Sequence, residues 1–264
     1  MTGVHLSDKR VSLEVDGAIA TVTINRPDKL NAVDPTMLDA IAGAFAAIDQ
    51  SNDLRVAVLS AAGEKSFCVG ADITAWSALE PLDMWRRWVK DGHAALDVIS
   101  RTRQPVIAAI NGLALGGGLE LALACDIRIC AEHARFGSPE VRIGTVPGWG
   151  GTRRLVDAIG AARAKHLVFT GDQIDAATAL SWGLVSEAVA AAELHERVQQ
   201  LAATIAVNAP VAVQLAKSIM THGSTGSANL AMETLAGALA ASTEDGREGV
   251  QSFREKRPPE YLGR

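Results

Sequence analysis

Asn111-Gly112-Leu113-Ala114-Leu115-Gly116-Gly117-Gly118-Leu119-Glu120 sets three consecutive glycines between two apolar runs. The run before it, Val106-Ile107-Ala108-Ala109-Ile110, is short, continuous and ended by Asn111-Gly112, the pattern of a parallel strand buried on both faces. Beyond the glycines, Leu119 to Ala124 reads as a buried helix and Ile127 to Cys130 as the next strand. Glycine at such a junction lets a ligand approach the backbone closely. The amides at the start of a helix point outward and its dipole favours negative charge, so the Gly117 amide is a candidate donor to an anion or a developing oxyanion. A tight strand-to-helix turn without a ligand fits the same residues.

The order strand-then-helix continues outward. Val11, Leu13 and Val15 alternate with polar residues, Asp16-Gly17 supplies a turn, and Ile19, Val22 and Ile24 follow, so a hairpin is expected at the start. Asp34-Pro35 offers an N-cap and a proline at the first helical position, ahead of Met37, Ile41, Phe45 and Ile48 at helical spacing. Val56 to Leu59 repeats the buried-strand pattern. After Gly171 strand-like runs nearly cease apart from Leu184 to Val189, and alanine-rich helical segments dominate from Ala190 to about Ala241. The expectation is an α/β fold with a core over residues 1–200 and a helical subdomain over 201–264.

With 48% apolar and 21% charged residues in 264, and a net charge of -5, the chain has an ordinary globular composition with no basic surplus for nucleic acid. Cys68, Cys125 and Cys130 lie in apolar runs and are odd in number, which fits reduced core residues and a reducing, cytoplasmic setting. Met1 to Arg10 is polar, and no run approaches the ~18–20 apolar residues needed for a span, so neither a signal peptide nor a membrane segment is expected. The histidines His5, His93, His133, His166, His195 and His222 show no metal-ligand spacing, and no metal site is expected. A dinucleotide G-x-G-x-x-G motif would need glycine at Leu121, and no glycine run leads into the Lys-Ser or Lys-Thr of a P-loop.

Two carboxylates stand out. Glu120 lies one turn into an apolar helix, where a charge is costly unless paired, hydrated or used. Glu140 follows Pro139 in a turn that continues through Gly144, Pro147, Gly148 and Gly150-Gly151. Brought together, they could hold one water, one accepting its proton and the other delivering a proton to carbon. In Phe67-Cys68-Val69-Gly70-Ala71-Asp72-Ile73, the Ala71 amide is a candidate second oxyanion donor, and Asp72 reads either as part of that site or as a helix N-cap. Ser138 has no nucleophile-elbow glycines, and Arg153-Arg154 and Arg254 to Arg257 read most simply as solvated faces.

These segments, F-C-x-G-A-D, G-G-G-x-E and P-E…G…P-G-x-G-G-T, together with Asn25-Arg26-Pro27, Leu30-Asn31-Ala32, Gly183-Leu184-Val185 and Phe253 to Pro259, resemble the enoyl-CoA hydratase/isomerase (crotonase) family over nearly the whole chain. The resemblance implies a spiral of repeated ββα units with a C-terminal helical region that builds trimers, commonly paired into hexamers. It implies an oxyanion hole at the Ala71 and Gly117 amides and acid/base roles for Glu120 and Glu140 in adding water to a 2-enoyl-CoA. Coenzyme A would be part of the substrate, with no further cofactor. It would lie along Lys29, Leu30 and Ala32 and along Ala71, Asp72, Ile73 and Thr74, with Phe253 and Lys256 reaching it from a neighbouring subunit. The chain departs from the family pattern at Thr74, where a lysine is common, and at Trp149, where a small residue is common; Trp149 would either narrow the acyl pocket or pack outside it.

Retention of both glutamates favours hydration over isomerases, decarboxylases and dehalogenases. A specialised hydratase of the methylglutaconyl type shares the Gly-Leu-Ala-Leu-Gly-Gly-Gly-Leu-Glu wording, and a Δ3,Δ2-enoyl-CoA isomerase is the next alternative. A non-catalytic RNA-binding member is disfavoured by the acidic balance and the lack of an aromatic-basic stripe, and a serine peptidase of related fold by the absence of an activated serine.

Overall fold

A strand covered on both faces has no polar side to alternate, and this is why the central strands read as unbroken apolar runs. In the computed structural model, which describes residues 6–77, 79–222 and 227–264, the opening hairpin is β1 (Val11–Asp16) and β2 (Ile19–Ile24), antiparallel with Val11 opposite Ile24. His5, and the part of the N-terminal reading that rests on residues 1–5, lie outside the described residues. β2 pairs in parallel with β3 (Val56–Ala61), followed by β5 (Val106–Ile110), β7 (Ile127–Ala131) and β10 (Glu187–Val189), giving a six-stranded sheet in the order β1-β2-β3-β5-β7-β10. A four-stranded sheet has the order β4 (Ser66–Cys68), β6 (Leu113–Leu115), β8 (Arg135–Gly137) and β9 (Gln173–Asp175). Each successive pair, β3 with β4, β5 with β6 and β7 with β8, gives one strand to each sheet before the chain turns into helix. That is the ββα spiral expected from the resemblance.

Period 2 survives inside the apolar runs as a choice between two cores. Val56, Val58, Ile107 and Ile129 pack against Leu194, Val198 and Ala202 of the Leu194–Ala206 helix. Their neighbours Ala57, Leu59, Val106 and Ala108 face the main core with Phe45 and Ile48 of the Pro35–Gln50 helix. β9 was not expected: it is three residues long with one buried side chain, Ile174, too little for a pattern.

Position 201, where the helical region was expected to begin, lies within the Leu194–Ala206 helix that covers the sheet. The later helices Pro210–His222, Ser227–Ser242 and Glu244–Glu255 pack mainly on one another. Among the described residues, polar ties bind this region to the core. Lys217 Nζ meets Asp126 at 2.7 Å and donates to the Gln104 carbonyl, while Arg55 donates to the carbonyls of Ala206 and Tyr261. Met220 (86% exposed), Leu235 (72%) and Phe253 (86%) leave these helices with apolar surface that none of the described residues covers.

The Pro35–Gln50 helix starts as its sequence directs: Asp34 accepts the Met37 amide (3.1 Å) and also meets Arg10 at 2.7 Å. Asp34→Ala is expected to cost ~1–2 kcal/mol by urea unfolding, since it removes a cap and a partly buried ion pair. A change within ~0.3 kcal/mol would mean that solvent serves the helix end equally well.

Candidate active site

Glycines at four places let backbone and carboxylates come together where a Cβ would stand. Gly118 packs its Cα face on the Cys68 carbonyl, which a Cβ would overlap, and this seats the Gly117–Ala124 helix against β4. Gly70, at φ +97, brings the chain after β4 so close that a Cβ would lie 3.0 Å from the Gly117 nitrogen. Gly151 clears the side chain of Glu120, and Gly116, at φ +53, clears that of Glu140, whose Oε1 would stand 3.1 Å from a Cβ there.

The two candidate oxyanion donors follow from local backbone geometry. Val33 donates to the Gly70 carbonyl (2.9 Å) and accepts from the Asp72 amide (2.8 Å), so alternation along the extended chain turns the Ala71 N–H to the opposite side. Gly117 is the first residue of its helix, where the N–H has no intrahelical acceptor. Both residues line one pocket of about 250 Å³, together with Glu120 and Glu140.

Glu120 is 4% exposed, and its Oε1 accepts the backbone N–H groups of Trp149 and Gly151, each at 2.7 Å. Burial is the largest influence on its carboxyl and pushes it up to about 7; the Gly151 and Trp149 amides oppose this, and the charge of Glu140 adds to it. Glu140 lies in the Pro139–Ile143 turn, where its Oε2 accepts from Ser138 Oγ at 2.8 Å and its Oε1 is buried with no partner among the described residues. Burial raises its proton affinity too, opposed by its own backbone amide and by Ser138. The pocket thus holds two carboxyls that resist ionisation and two backbone donors able to receive negative charge.

Of the other residues singled out in the sequence, Ile73 lines this pocket, while Lys29, Leu30, Ala32, Thr74, Phe253 and Lys256 do not. Asp72 is an N-cap, accepting the Thr74 amide (3.0 Å) and pairing with Arg26 at 2.9 Å. Asn31 ties the Leu30-Asn31-Ala32 loop down from a buried position, accepting from the Arg26 amide and donating to the carbonyls of Ala62 and Ser66.

Sequence reasoning missed two parts. Ser138, examined only as a nucleophile, is the donor to Glu140. Arg154, read as a solvated face, is largely buried: it donates to the Trp149 carbonyl (2.8 Å) and to Asp97 (2.9 Å), fixing the turn whose amides hold Glu120. Trp76, Met84, Trp88 and Trp149 also line the pocket, so of the two places open to Trp149 in the sequence the structure takes the one in the wall. Only the Pro-Gly-Trp-Gly-Gly turn could have pointed to the Glu120 contacts, since its glycines imply close backbone approach.

The enoyl-CoA hydratase/isomerase family profile matches residues 14–264. This chain belongs to the enoyl-CoA hydratase/isomerase family. Within the family it is 41% identical over 249 residues to a short-chain-enoyl-CoA hydratase of Clostridium acetobutylicum, covering 94% of this chain and 95% of that one. It is 39% identical over 262 residues to an (E)-benzylidenesuccinyl-CoA hydratase of Thauera aromatica, covering 96% and 99%. A crystal structure of an enoyl-CoA hydratase from Bacillus anthracis superimposes with a TM-score of 0.93 at 38% identity, over 97% of this chain and all of that one. As an enoyl-CoA hydratase/isomerase family member, the chain carries no arrangement of three or more His, Cys, Asp or Glu side chains fit to hold a metal ion among the described residues.

Proposed function

We propose that this protein is an enoyl-CoA hydratase, a hydro-lyase that adds water across the 2,3 double bond of a 2-enoyl-CoA to give a 3-hydroxyacyl-CoA. The observation that carries the reading is the pairing, in one pocket, of two buried carboxyls with the Ala71 and Gly117 amides. The thioester oxygen accepts from both amides, which draws electron density from the double bond and stabilises the enolate that follows. Burial raises the proton affinity of both carboxyls, and a singly protonated pair is favoured over a doubly ionised one, since ionising both would put two charges in one apolar site. Glu120, ionised, takes a proton from water as the oxygen bonds C3; Glu140 gives its proton to C2, and proton exchange through a further water restores the pair.

Coenzyme A is the carrier portion of the substrate, and no other cofactor enters this chemistry. In this reading its phosphates and adenine run along the backbone of Lys29, Leu30 and Ala32 and of Asp72 to Thr74. Thr74 in place of a lysine removes one phosphate contact. The exposed apolar surface at Met220, Leu235 and Phe253 supports a trimer, or a hexamer of paired trimers, in which Phe253 and Lys256 serve a neighbouring subunit. Three buried free cysteines fit a cytoplasmic setting, and fatty acid metabolism fits the reaction.

Crotonyl-CoA is the first substrate to try, followed by loss of the conjugated-thioester absorbance. Rapid loss to 3-hydroxybutyryl-CoA supports the reading. No loss, with 3-enoyl-CoA converted to the 2-enoyl isomer instead, would replace hydratase by isomerase.

A further inference from the structure

Trp149 is held more firmly than its place in a glycine-rich turn suggests. Its N–H is bound by Glu120 and its carbonyl by Arg154, which is anchored in turn to Asp97 of the Lys90–Arg101 helix. The indole is 2% exposed and lies in a slot between two bare backbones. On one side is Gly117, where a Cβ would stand 2.5 Å from Cζ3; on the other is Gly92, where a Cβ would overlap Nε1. Trp88 backs it with ring centroids 5.5 Å apart and planes tilted by 46°. Trp88 reaches that position from a π-helical turn, Met84–Val89, whose extra residue per turn rotates side chains relative to the helix that follows.

We propose that Trp149 sets acyl-chain length: its indole, seated between Gly92 and Gly117 and backed by Trp88, closes the pocket beyond Glu120 and restricts the enzyme to short 2-enoyl thioesters. The inference rests on the hydratase reading and adds to it the class of substrate. The pocket, about 250 Å³, is below the ~300–1,000 Å³ usual for small-molecule sites, and it must also hold the thioester and a water. An exposed indole could swing aside for a longer chain. This one is buried, meets the Gly92 and Gly117 backbones at opposite edges of the ring, and has its own N–H and carbonyl both bound, so rotation would drive it into neighbouring main chain. Truncation would leave an apolar cavity of the kind that stays dry and accepts an apolar guest.

The test compares wild type, Trp149→Ala and Trp149→Phe for binding of the saturated thioesters butyryl-CoA and decanoyl-CoA by calorimetry, and for hydration of crotonyl-CoA and trans-2-decenoyl-CoA. Wild type is expected to favour the short member of each pair. In Trp149→Ala the long-to-short ratio should rise ~10–200-fold, the range that one or a few methylenes command in an apolar pocket, with a smaller rise in Trp149→Phe. An unchanged ratio in folded Trp149→Ala, or a wild type indifferent to length, overturns the proposal. Should Trp149→Ala fail to fold, Trp149→Phe decides alone: a rise supports the proposal and no rise sinks it. Saturated esters separate the two levels of inference. If the binding ratio shifts while no variant and no wild type hydrates either enoyl ester, the hydratase reading falls and the role of Trp149 stands.

Discussion

Glu140→Gln is expected to lower turnover of crotonyl-CoA by ~10²–10⁴-fold while leaving ester binding nearly intact. The substitution keeps the side chain's volume and can still meet Ser138, so the pocket does not collapse. It removes the proton that Oε1 would carry to carbon, at a carboxyl oxygen that is buried without a partner among the described residues. Glu120→Gln should show a loss of the same order, because an amide that still accepts the Trp149 and Gly151 N–H groups cannot accept a proton from water. Steady-state kinetics beside calorimetric binding of butyryl-CoA separates the two effects. Since Glu120 must be ionised and its carboxyl is pushed up to about 7, the wild-type rate should also fall as pH drops through that value. Turnover within tenfold of wild type in either variant would remove that glutamate from the chemistry.

Glu120→Gln is further expected to make the unliganded protein more stable at pH 8, by up to ~3 kcal/mol, although it cripples turnover. In the folded chain this carboxyl keeps its proton up to about pH 7, whereas in the unfolded chain it loses it near 4.5. Its contribution to stability is therefore complete below 4.5 and is lost as pH rises through 7, where folding must bury a charge. Glutamine is spared that cost. Thermal unfolding should show the variant close to wild type at pH 5 and several degrees higher at pH 8. A variant less stable than wild type at pH 8 would mean that the two amides on Oε1 outweigh burial.

The elements nearest the chemistry were the most legible in the sequence. Val56–Leu59 and Val106–Ile110 announce buried strands by composition alone, and Gly116–Gly118 followed by Glu120 marks the strand-to-helix junction without any knowledge of the fold. Asp34 announced its helix, and Asp72 offered a cap as one of two readings, because a cap acts within three residues. Contacts closed over long separations were not readable. Arg154 looks like any charged helical residue until Asp97 and the Trp149 carbonyl are beside it, and Trp149 in a turn is equally consistent with surface or core. What decides its place is the missing side chain at Gly92, 57 residues away, which the sequence shows only as one more glycine in a helix.

That slot also imposes an order on the history open to this chain. A methyl group at position 92 and an indole at position 149 exclude each other, so a line that first trims Trp149 becomes free to acquire alanine at 92, which a helix interior favours by ~0.5–1 kcal/mol. Once made, that gain bars the return of tryptophan until the alanine is lost again. Divergence toward larger substrates would then behave as a ratchet, with a stabilising change on a neighbouring helix locking in a specificity it never touches.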